Sequence, residues 1–393
     1  MTTTINNEHK KLNVPNLRFP EFQGEWAKCT LNEVCKFHNG RAYKQTELLA
    51  AGKYRVLRVG NFFTNDSWYY SNLELEDNKY AQNGDLLYAW SASFGPRFWR
   101  EEKVIFHYHI WKIDSFKNVD KNFLYHFLDL DSAKIKNEVQ GGTMVHITKG
   151  DMEKRTISYP SVLEQRNIAR FLFLLDERIA TQNKIIEDLK KLKSAIIDYA
   201  INALDTDFAK FGSLYEMAGE GGTPTTSNAS FYDNGKIPFI KIDDLKKKYL
   251  TENKDFITEL GLQKSSAWLV PSRSILFSNG ATIGEITITT YPVCTKQGIL
   301  GIVPKSNIDV EFLYYFMSSS YFKKAVSRIV TEGTMKTAYL KDINSIRCPI
   351  PKKGKQQEIA QMPSALSSKI DFEQSILKLF YAQKQYLLRQ MFI

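Results

Sequence analysis

The sequence predicts an α+β fold: two tandem globular domains, separated by two long helices that form an antiparallel coiled coil, in a pseudo-two-fold arrangement. The first observation behind this is that the chain is written twice. Gly142-Thr143-Met144 returns as Gly333-Thr334-Met335, Asp151 as Asp342, Pro160 as Pro351, Gln165 as Gln356, Ile179 as Ile370 and Lys193 as Lys384, every pair 191 residues apart. Upstream, Phe123-Leu124-Tyr125 matches Phe312-Leu313-Tyr314, and Ala92 and Gly95 match Ala281 and Gly284, at an offset of 189. So long a period is outside the solenoid range and means two similar domains. The second observation is a run from Glu164 to Leu204 with neither Pro nor Gly. The third is a mixture of short strand-like and helical runs on either side of it.

The elements follow in order. Residues 1–24 read as an irregular arm, broken by Pro15, Pro20 and Gly24. Residues 25–160 carry strand-like runs such as 54–59 and 103–108 and a helical stretch over 122–137. Residues 161–204 form the first long helix. Leu172, Ile179 and Ile186 recur every seven residues, as do Leu175, Gln182, Leu189 and Ile196, which makes an a/d seam. About 41 residues at 1.5 Å each give a rod of roughly 60 Å. Residues 205–351 repeat the α+β domain. Residues 352–393 repeat the rod, with Ile370, Leu377, Phe380 and Leu387 in the seam. Both copies place a lysine (Lys193, Lys384) and a second polar residue (Gln182, Glu373) at matched seam positions, which sets register at some cost in stability.

Composition narrows the function. At 393 residues, 43% hydrophobic and 24% charged, the chain is an ordinary soluble globular protein of two or three domains. A formal net charge of +10 favours a polyanionic partner. Cys29, Cys35, Cys294 and Cys348 form no C-x-x-C pair, which suits a reducing cytoplasm and argues against a structural zinc site. The longest apolar run near a helix, 171–175, is far short of a membrane span. No nucleotide-binding loop is present, since Gly280-Ala281-Thr282-Ile283-Gly284 lacks the lysine. There is no Asn-Pro-Pro-aromatic or Asp-Pro-Pro-aromatic tetrapeptide of amino-methyltransferases. His107 and His109 have no third ligand beside them and read as strand-surface or packing residues. The motifs therefore argue against a stand-alone enzyme.

Four motifs carry a resemblance. The opening Pro15-Asn16-Leu17-Arg18-Phe19-Pro20-Glu21-Phe22 leads to Glu25-Trp26. Pro160 is followed by Glu164-Gln165-Arg166, Ile168-Ala169 and Phe171-Leu172. Gly221-Gly222-Thr223-Pro224 precedes Ile237-Pro238-Phe239-Ile240-Lys241-Ile242 and Asp244-Leu245. The chain ends Leu387-Leu388-Arg389-Gln390-Met391-Phe392. Over nearly its whole length the chain resembles the specificity subunit of type I restriction–modification systems. The resemblance implies a non-catalytic, cytoplasmic subunit, without a cofactor of its own, that reads a bipartite double-stranded DNA target. It implies two partner methyltransferase subunits that bind S-adenosylmethionine, and motor–nuclease subunits, with no role at a membrane. Each globular domain would read one half-site, and the helices would set the spacing and dock the partners through faces that include Glu164, Gln165, Phe171, Asp176, Gln356 and Ile359. The second helix departs from the pattern: Met362-Pro363 stands where the first has Phe171-Leu172, and Ser367 where it has Asp176. The rod is expected to begin at Pro363 or to kink there. A structural coiled-coil adaptor with protein-binding domains is the alternative.

DNA contact requires cations for phosphates and Arg, Asn, Gln, Ser or Thr for base edges, on turns that let backbone approach the duplex. In the first domain the candidates are Arg41, Tyr43, Lys44, Arg58, Ser91, Ser93, Arg97, Thr143 and His146. In the second they are Thr223, Thr225, Lys241, Asn279, Thr282, Lys296, Gln297 and Lys336. Trp90, Phe94 and Trp99 read as core rather than base-stacking groups, and Lys246-Lys247-Lys248 as a solvated run.

Overall fold

The computed structural model describes residues 12–63, 65–91, 94–138, 146–280, 282–330 and 336–393. It divides into two compact units, residues 1–182 with 376–393, and residues 183–375. The first unit runs β1 (Ala27–Thr30), α1 (Leu31–Val34), β2 (Lys36–Asn39), β3 (Tyr54–Leu57), α2 (Val59–Phe63), β4 (Tyr69–Ser71), β5 (Tyr80–Ala81) and β6 (Leu86–Ala89). It continues with β7 (Gly95–Phe98), β8 (Val104–Phe106), β9 (Ile110–Asp114), α3 (Lys121–Glu138), α4 (Lys149–Lys154), β10 (Thr156–Tyr159) and the start of α5 (Val162–Asn202). One sheet has the order β2-β9-β6-β7, all antiparallel; another has the order β4-β3-β8-β5, with β3 and β8 parallel; β1 pairs with β10. Strand β6, Leu-Leu-Tyr-Ala, is buried on both faces, as its unbroken apolar run dictates. Its Tyr88 stacks on Trp111, which meets Phe37 edge-on.

The second unit has the end of α5, then β11 (Phe208–Lys210), β12 (Tyr215–Glu220), β13 (Ile237–Ile240), β14 (Tyr249–Leu250), β15 (Asp255–Ile257), α6 (Glu259–Gln263) and β16 (Ile275–Ser278). There follow β17 (Ile286–Thr289), β18 (Cys294–Thr295), β19 (Ile299–Pro304), α7 (Val310–Ser318), α8 (Ser320–Ile329), α9 (Leu340–Ile343), β20 (Arg347–Pro349) and α10 (Lys353–Met391). The sheets are β12-β19-β16-β17-β14, β15-β13-β18 with β13 and β18 parallel, and β11-β20. The sequence repeat is thus a repeat of topology, down to the parallel strand pair.

The long helices enter each unit antiparallel. In the first, Arg18 holds Glu164 while its neighbour Leu17 donates its N–H to the Gln390 carbonyl at 2.9 Å; further along, Asp176 meets Lys384 at 2.8 Å. Leu172, Leu175 and Ile179 share a core with Leu387, Leu388 and Phe392. In the second, Lys193 reaches Ser367, and Ile197 and Ile201 share a core with Ala360. Helix α10 starts at Lys353 and runs on through Pro363, so the rod does not begin at the proline. The ring removes only the N–H that the Ile359 carbonyl would have accepted. Among the described residues no helix is long and apolar enough to cross a membrane.

Candidate nucleic-acid interface

Parallel strands end on the same edge of a sheet. In the first unit Leu57 and Phe106 are paired at the carboxyl ends of β3 and β8, so Arg58 and the turn His107-Tyr108-His109 emerge together. Gly40 makes this edge compact: a Cβ there would lie 2.3 Å from the His107 carbonyl oxygen. The chain beyond it is stitched to the turn, Arg41 N–H donating to the Phe106 carbonyl and Tyr108 N–H to the Arg41 carbonyl, each at 3.1 Å. From the end of β6, Trp90 donates its ring N–H to the Tyr108 carbonyl at 2.8 Å, stacks on Trp111 and meets His109 edge-on at 5.0 Å. His146 bridges to Ser91 and lies 6.0 Å from Trp90. Arg41, Tyr43, Arg58, Trp90, His107, His109 and His146 therefore share one edge.

Its electrostatics follow from packing. Burial, then His109 and Arg58, push His107 down to about 4. Burial and His146 lower His109. Neutral imidazoles offer one donor and one acceptor each, a set suited to base edges. Arg41 is held by both Glu47 oxygens, at 2.8 and 3.0 Å, and lies over Tyr43. Arg58 lies over the Tyr69 ring at 4.3 Å.

The second unit builds the same edge with other side chains. Ile240 and Thr295 are paired at the ends of β13 and β18. Lys296 N–H donates to the Ile240 carbonyl at 2.9 Å, as His107 N–H does to the Leu57 carbonyl at 2.9 Å. Gly221 makes the matching close approach, its Cβ position lying 2.2 Å from the Thr295 carbonyl oxygen, as that of Gly40 lies 2.5 Å from the carbonyl oxygen of Phe106. Asn279 N–H donates to Gly298 at 3.0 Å, as Trp90 N–H does to His109 at 3.1 Å. Arg58 is thus matched by Lys241, His107 by Lys296 and Trp90 by Asn279. Gln297 N–H donates to Thr223 Oγ1 at 3.3 Å, and Thr225, Thr282, Lys296, Gln297 and Lys336 are exposed nearby in sequence or at this edge. Lys241 pairs with Asp255 at 2.8 Å.

Behind each edge, one glutamine ties the domain to its long helix. Gln165 accepts from Asp120 N–H at 2.7 Å and donates to the Asn118 and Pro160 carbonyls at 2.9 and 2.8 Å. Gln356 accepts from Asp309 N–H at 2.7 Å and donates to Asn307 and Pro351 at 3.2 and 2.8 Å. Asp120 and Asp309 in turn cap α3 and α7.

The family description "Type I restriction modification DNA specificity domain" matches residues 23–191 and again 205–379. The chain belongs to this family. Two DNA specificity domains thus coincide with the two written copies. The type I restriction enzyme MjaIX specificity subunit of Methanocaldococcus jannaschii is 31% identical over 173 residues, 42% of this chain and 39% of that protein. The MjaVIII specificity subunit of the same organism is 24% identical over 317 residues, 75% of this chain and 74% of that protein. The EcoBI specificity subunit of Escherichia coli is 22% identical over 94% of this chain and 85% of its own. The chain therefore spans about two fifths of the first relative and three quarters of the second. The S subunit of the type I restriction–modification system from M. genitalium shares the fold, with a TM-score of 0.56 at 17% identity over 97% of this chain and 99% of that one. A chain from a structure of type I complex assembly and conformational transition gives 0.59 at 14%, over 92% and 96%.

Within this specificity-domain scaffold several expectations need correction. Ser91 and Asn279 are buried, at 5% and 1% exposure; Asn279 donates its side-chain N–H to the Ala338 carbonyl at 3.3 Å. Neither side chain faces outward to a duplex. Ser93 and Thr143 lie outside the described residues. Arg97 is exposed but is held over Phe63, and Lys44 is exposed. Lys248 is not part of a solvated run: it is buried against Tyr315 and paired with Glu311, while Lys246 and Lys247 are exposed. Phe94 and Trp99 are core, but Trp90 is half-buried at the edge. His107 and His109 stand in the cluster although they read as packing; their place in the turn after a strand ending Val-Ile-Phe was the available signal. Of the helix-face residues, Glu164, Gln165 and Gln356 are buried and committed within the chain, Glu164 to Arg18 at 2.7 and 2.8 Å. Phe171 is exposed, Ile359 half-buried, and Asp176 is paired with Lys384. A groove of about 690 Å³ beside them in the first unit is lined by Arg100, Arg166, Arg170, Phe173 and Leu174.

Proposed function

We propose that the chain is the DNA-recognition and assembly subunit of a type I restriction–modification enzyme. Residues 25–160 and 205–351 each read one half of a bipartite duplex target, and the helices of 161–204 and 352–393 set the spacing between half-sites. The observation that carries this is the matched edge of the two units: one backbone frame, with Arg58, Trp90, His107 and His109 in the first and Lys241, Lys296 and Gln297 in the second. One frame with two side-chain sets is what two independent readings require. The net charge of +10 supplies the sequence-independent attraction.

The chain contributes position, not catalysis. Two adenine methyltransferase subunits dock on the exposed helix faces, bring S-adenosylmethionine, and extrude the target base. Motor–nuclease subunits join through them. In the first unit the groove beside Phe171 offers arginines and apolar carbons to such a partner; Glu164 and Gln165 act beneath it by holding the helix in place. The test is methylome sequencing of cells carrying Arg58→Ala or Lys241→Ala. Arg58→Ala degrades recognition in one half of the methylated sequence and Lys241→Ala in the other. Loss of both halves by each variant would refute independent readers.

A further inference from the structure

The two repeats diverge at the lysine that each long helix turns toward a domain. In the first unit Lys384 lies 2.8 Å from Asp176 and 3.1 Å from Asp129. Burial alone would lower this ammonium, but the two carboxylates outweigh it and raise it. Its repeat mate in the second unit is Lys193. There Asp176 is replaced by Ser367, at the 191-residue offset, and Asp129 by Ser318, at the 189-residue offset. Among the described residues Lys193 has the Ser367 hydroxyl as its hydrogen-bond partner, at 3.4 Å. Among the described residues no carboxylate lies within ion-pair distance of it.

The surroundings make this an unbalanced charge. Lys193 is half-buried, and burial lowers its basicity; Asp371 opposes that, while Lys248, Lys190 and Lys323 add to it. Lys193 lines a cavity of about 340 Å³ together with Ser194, Ser318, Tyr314 and Lys323. Lys246 and Glu285 also face the cavity, and Asp243 holds Lys246 at 2.9 Å. A half-buried ammonium with three lysines acting on it and no carboxylate within ion-pair distance is costly, so the fold holds an open place for negative charge. The two carboxylates that contact the lysine in the first unit are both hydroxyls here, and a phosphate dianion would supply two charges with several acceptor oxygens. The Ser318 hydroxyl, which donates to the Tyr314 carbonyl at 2.7 Å, can rotate onto an oxyanion.

We propose that this cavity is a phosphate-binding site, with Lys193 and Lys323 as its cations. Inorganic phosphate is the probe, and thermal unfolding and the ³¹P resonance of the full chain are the readouts. At a concentration about fivefold above its Kd, phosphate raises the unfolding temperature of the second unit by about 2–4 °C. Lys193→Met removes the cation and the response. Ser367→Asp, which restores the carboxylate found in the first unit, fills the need internally: it abolishes the response while the chain itself unfolds no earlier than the natural one. Duplex DNA of unrelated sequence then identifies the source. Release of bound phosphate by the duplex assigns the site to a backbone phosphate; retention assigns it to a free phosphate or phosphomonoester. A phosphate response that is absent in the natural chain, or equal in all three chains, overturns the site.

Discussion

Replacing Gln165 by leucine tests whether one side chain joins a recognition domain to its helix. The volume is nearly conserved, so the change is in hydrogen bonding. Gln165 is fully buried. Its removal leaves the Asp120 N–H and the Asn118 and Pro160 carbonyls without this partner. A buried donor or acceptor left unpaired costs about 1–3 kcal/mol. The carbonyls retain a second lone pair and leucine gains apolar burial, so the net loss is about 3–5 kcal/mol rather than the full sum. The Asp120 N–H also marks the start of α3, whose first turn the Asp120 carboxylate caps, so the damage reaches that helix first. Hydrogen exchange read by mass spectrometry separates the units. Gln165→Leu deprotects peptides spanning 118–128 and leaves 307–317 unchanged; Gln356→Leu does the reverse, to a similar extent. A loss under ~1 kcal/mol, or deprotection of both units by each variant, would show that the glutamines are not the tie.

Other consequences are more compact. All six histidines precede residue 147, so acid sensitivity near pH 6 belongs to the first unit. Burial, then Lys384, hold His126 down at about 3 from an ordinary 6.5; the folded state refuses a proton that the unfolded chain accepts, so stability is full above pH 6.5 and falls by up to about 1.4 kcal/mol per pH unit below it. His126→Phe flattens that slope in a pH series of urea midpoints, and an unchanged slope would count against it. Pro363→Ala returns an N–H to the Ile359 carbonyl, worth about 3 kcal/mol, but gives up part of a buried ring; a net gain of about 1–2 kcal/mol is expected in chemical denaturation. A loss of stability would mean that the ring's packing dominates. Glu311→Gln leaves Lys248 buried without its carboxylate and lowers the stability of the second unit by about 2–4 kcal/mol, whereas removing Glu252 from exposed Lys247 costs less than ~1 kcal/mol in the same assay.

Much of the fold was legible in the sequence because its signals are periodic or repeated. The heptad seam of 161–204 needs no tertiary knowledge, and Leu172, Ile179 and Ile186 are buried as it requires. The constant offset announces two copies before any strand is assigned. The site was less legible, because exposure is a tertiary property. Asn279 looks like a base-reading residue in a small-residue turn, yet the chain at Ala338 folds over it. Lys248 looks like its neighbours Lys246 and Lys247, yet a strand end and α7 enclose it. Pro363 signals a helix start, yet ten upstream residues already follow the helix, since packing against the domain outweighs one lost hydrogen bond.

Comparing the copies with each other sorts residues by the kind of work they do. What is kept is backbone-holding: the Gln165 and Gln356 ties, the Asp120 and Asp309 caps, and the Gly40 and Gly221 approaches, each with matching partner atoms. These positions tolerate no freedom, because each satisfies groups that would otherwise be buried unpaired. What has diverged points outward or into the helix–domain seam: Arg58 against Lys241, His107 against Lys296, and the Asp176–Lys384–Asp129 cluster against Ser367, Lys193 and Ser318. The groove on the first helix also loses its character in the second copy. Arg166, Arg170 and Phe173 become Gln357, Gln361 and Ser364, and Ser364 accepts from Lys248 at 2.9 Å where Phe173 packs on Tyr125. The two helix faces proposed to dock partners are built from such different atoms that they cannot bind with equal strength. Occupancy of the helix faces should then be stepwise, with the arginine- and phenylalanine-lined groove of the first unit filling before the serine-rich face of the second.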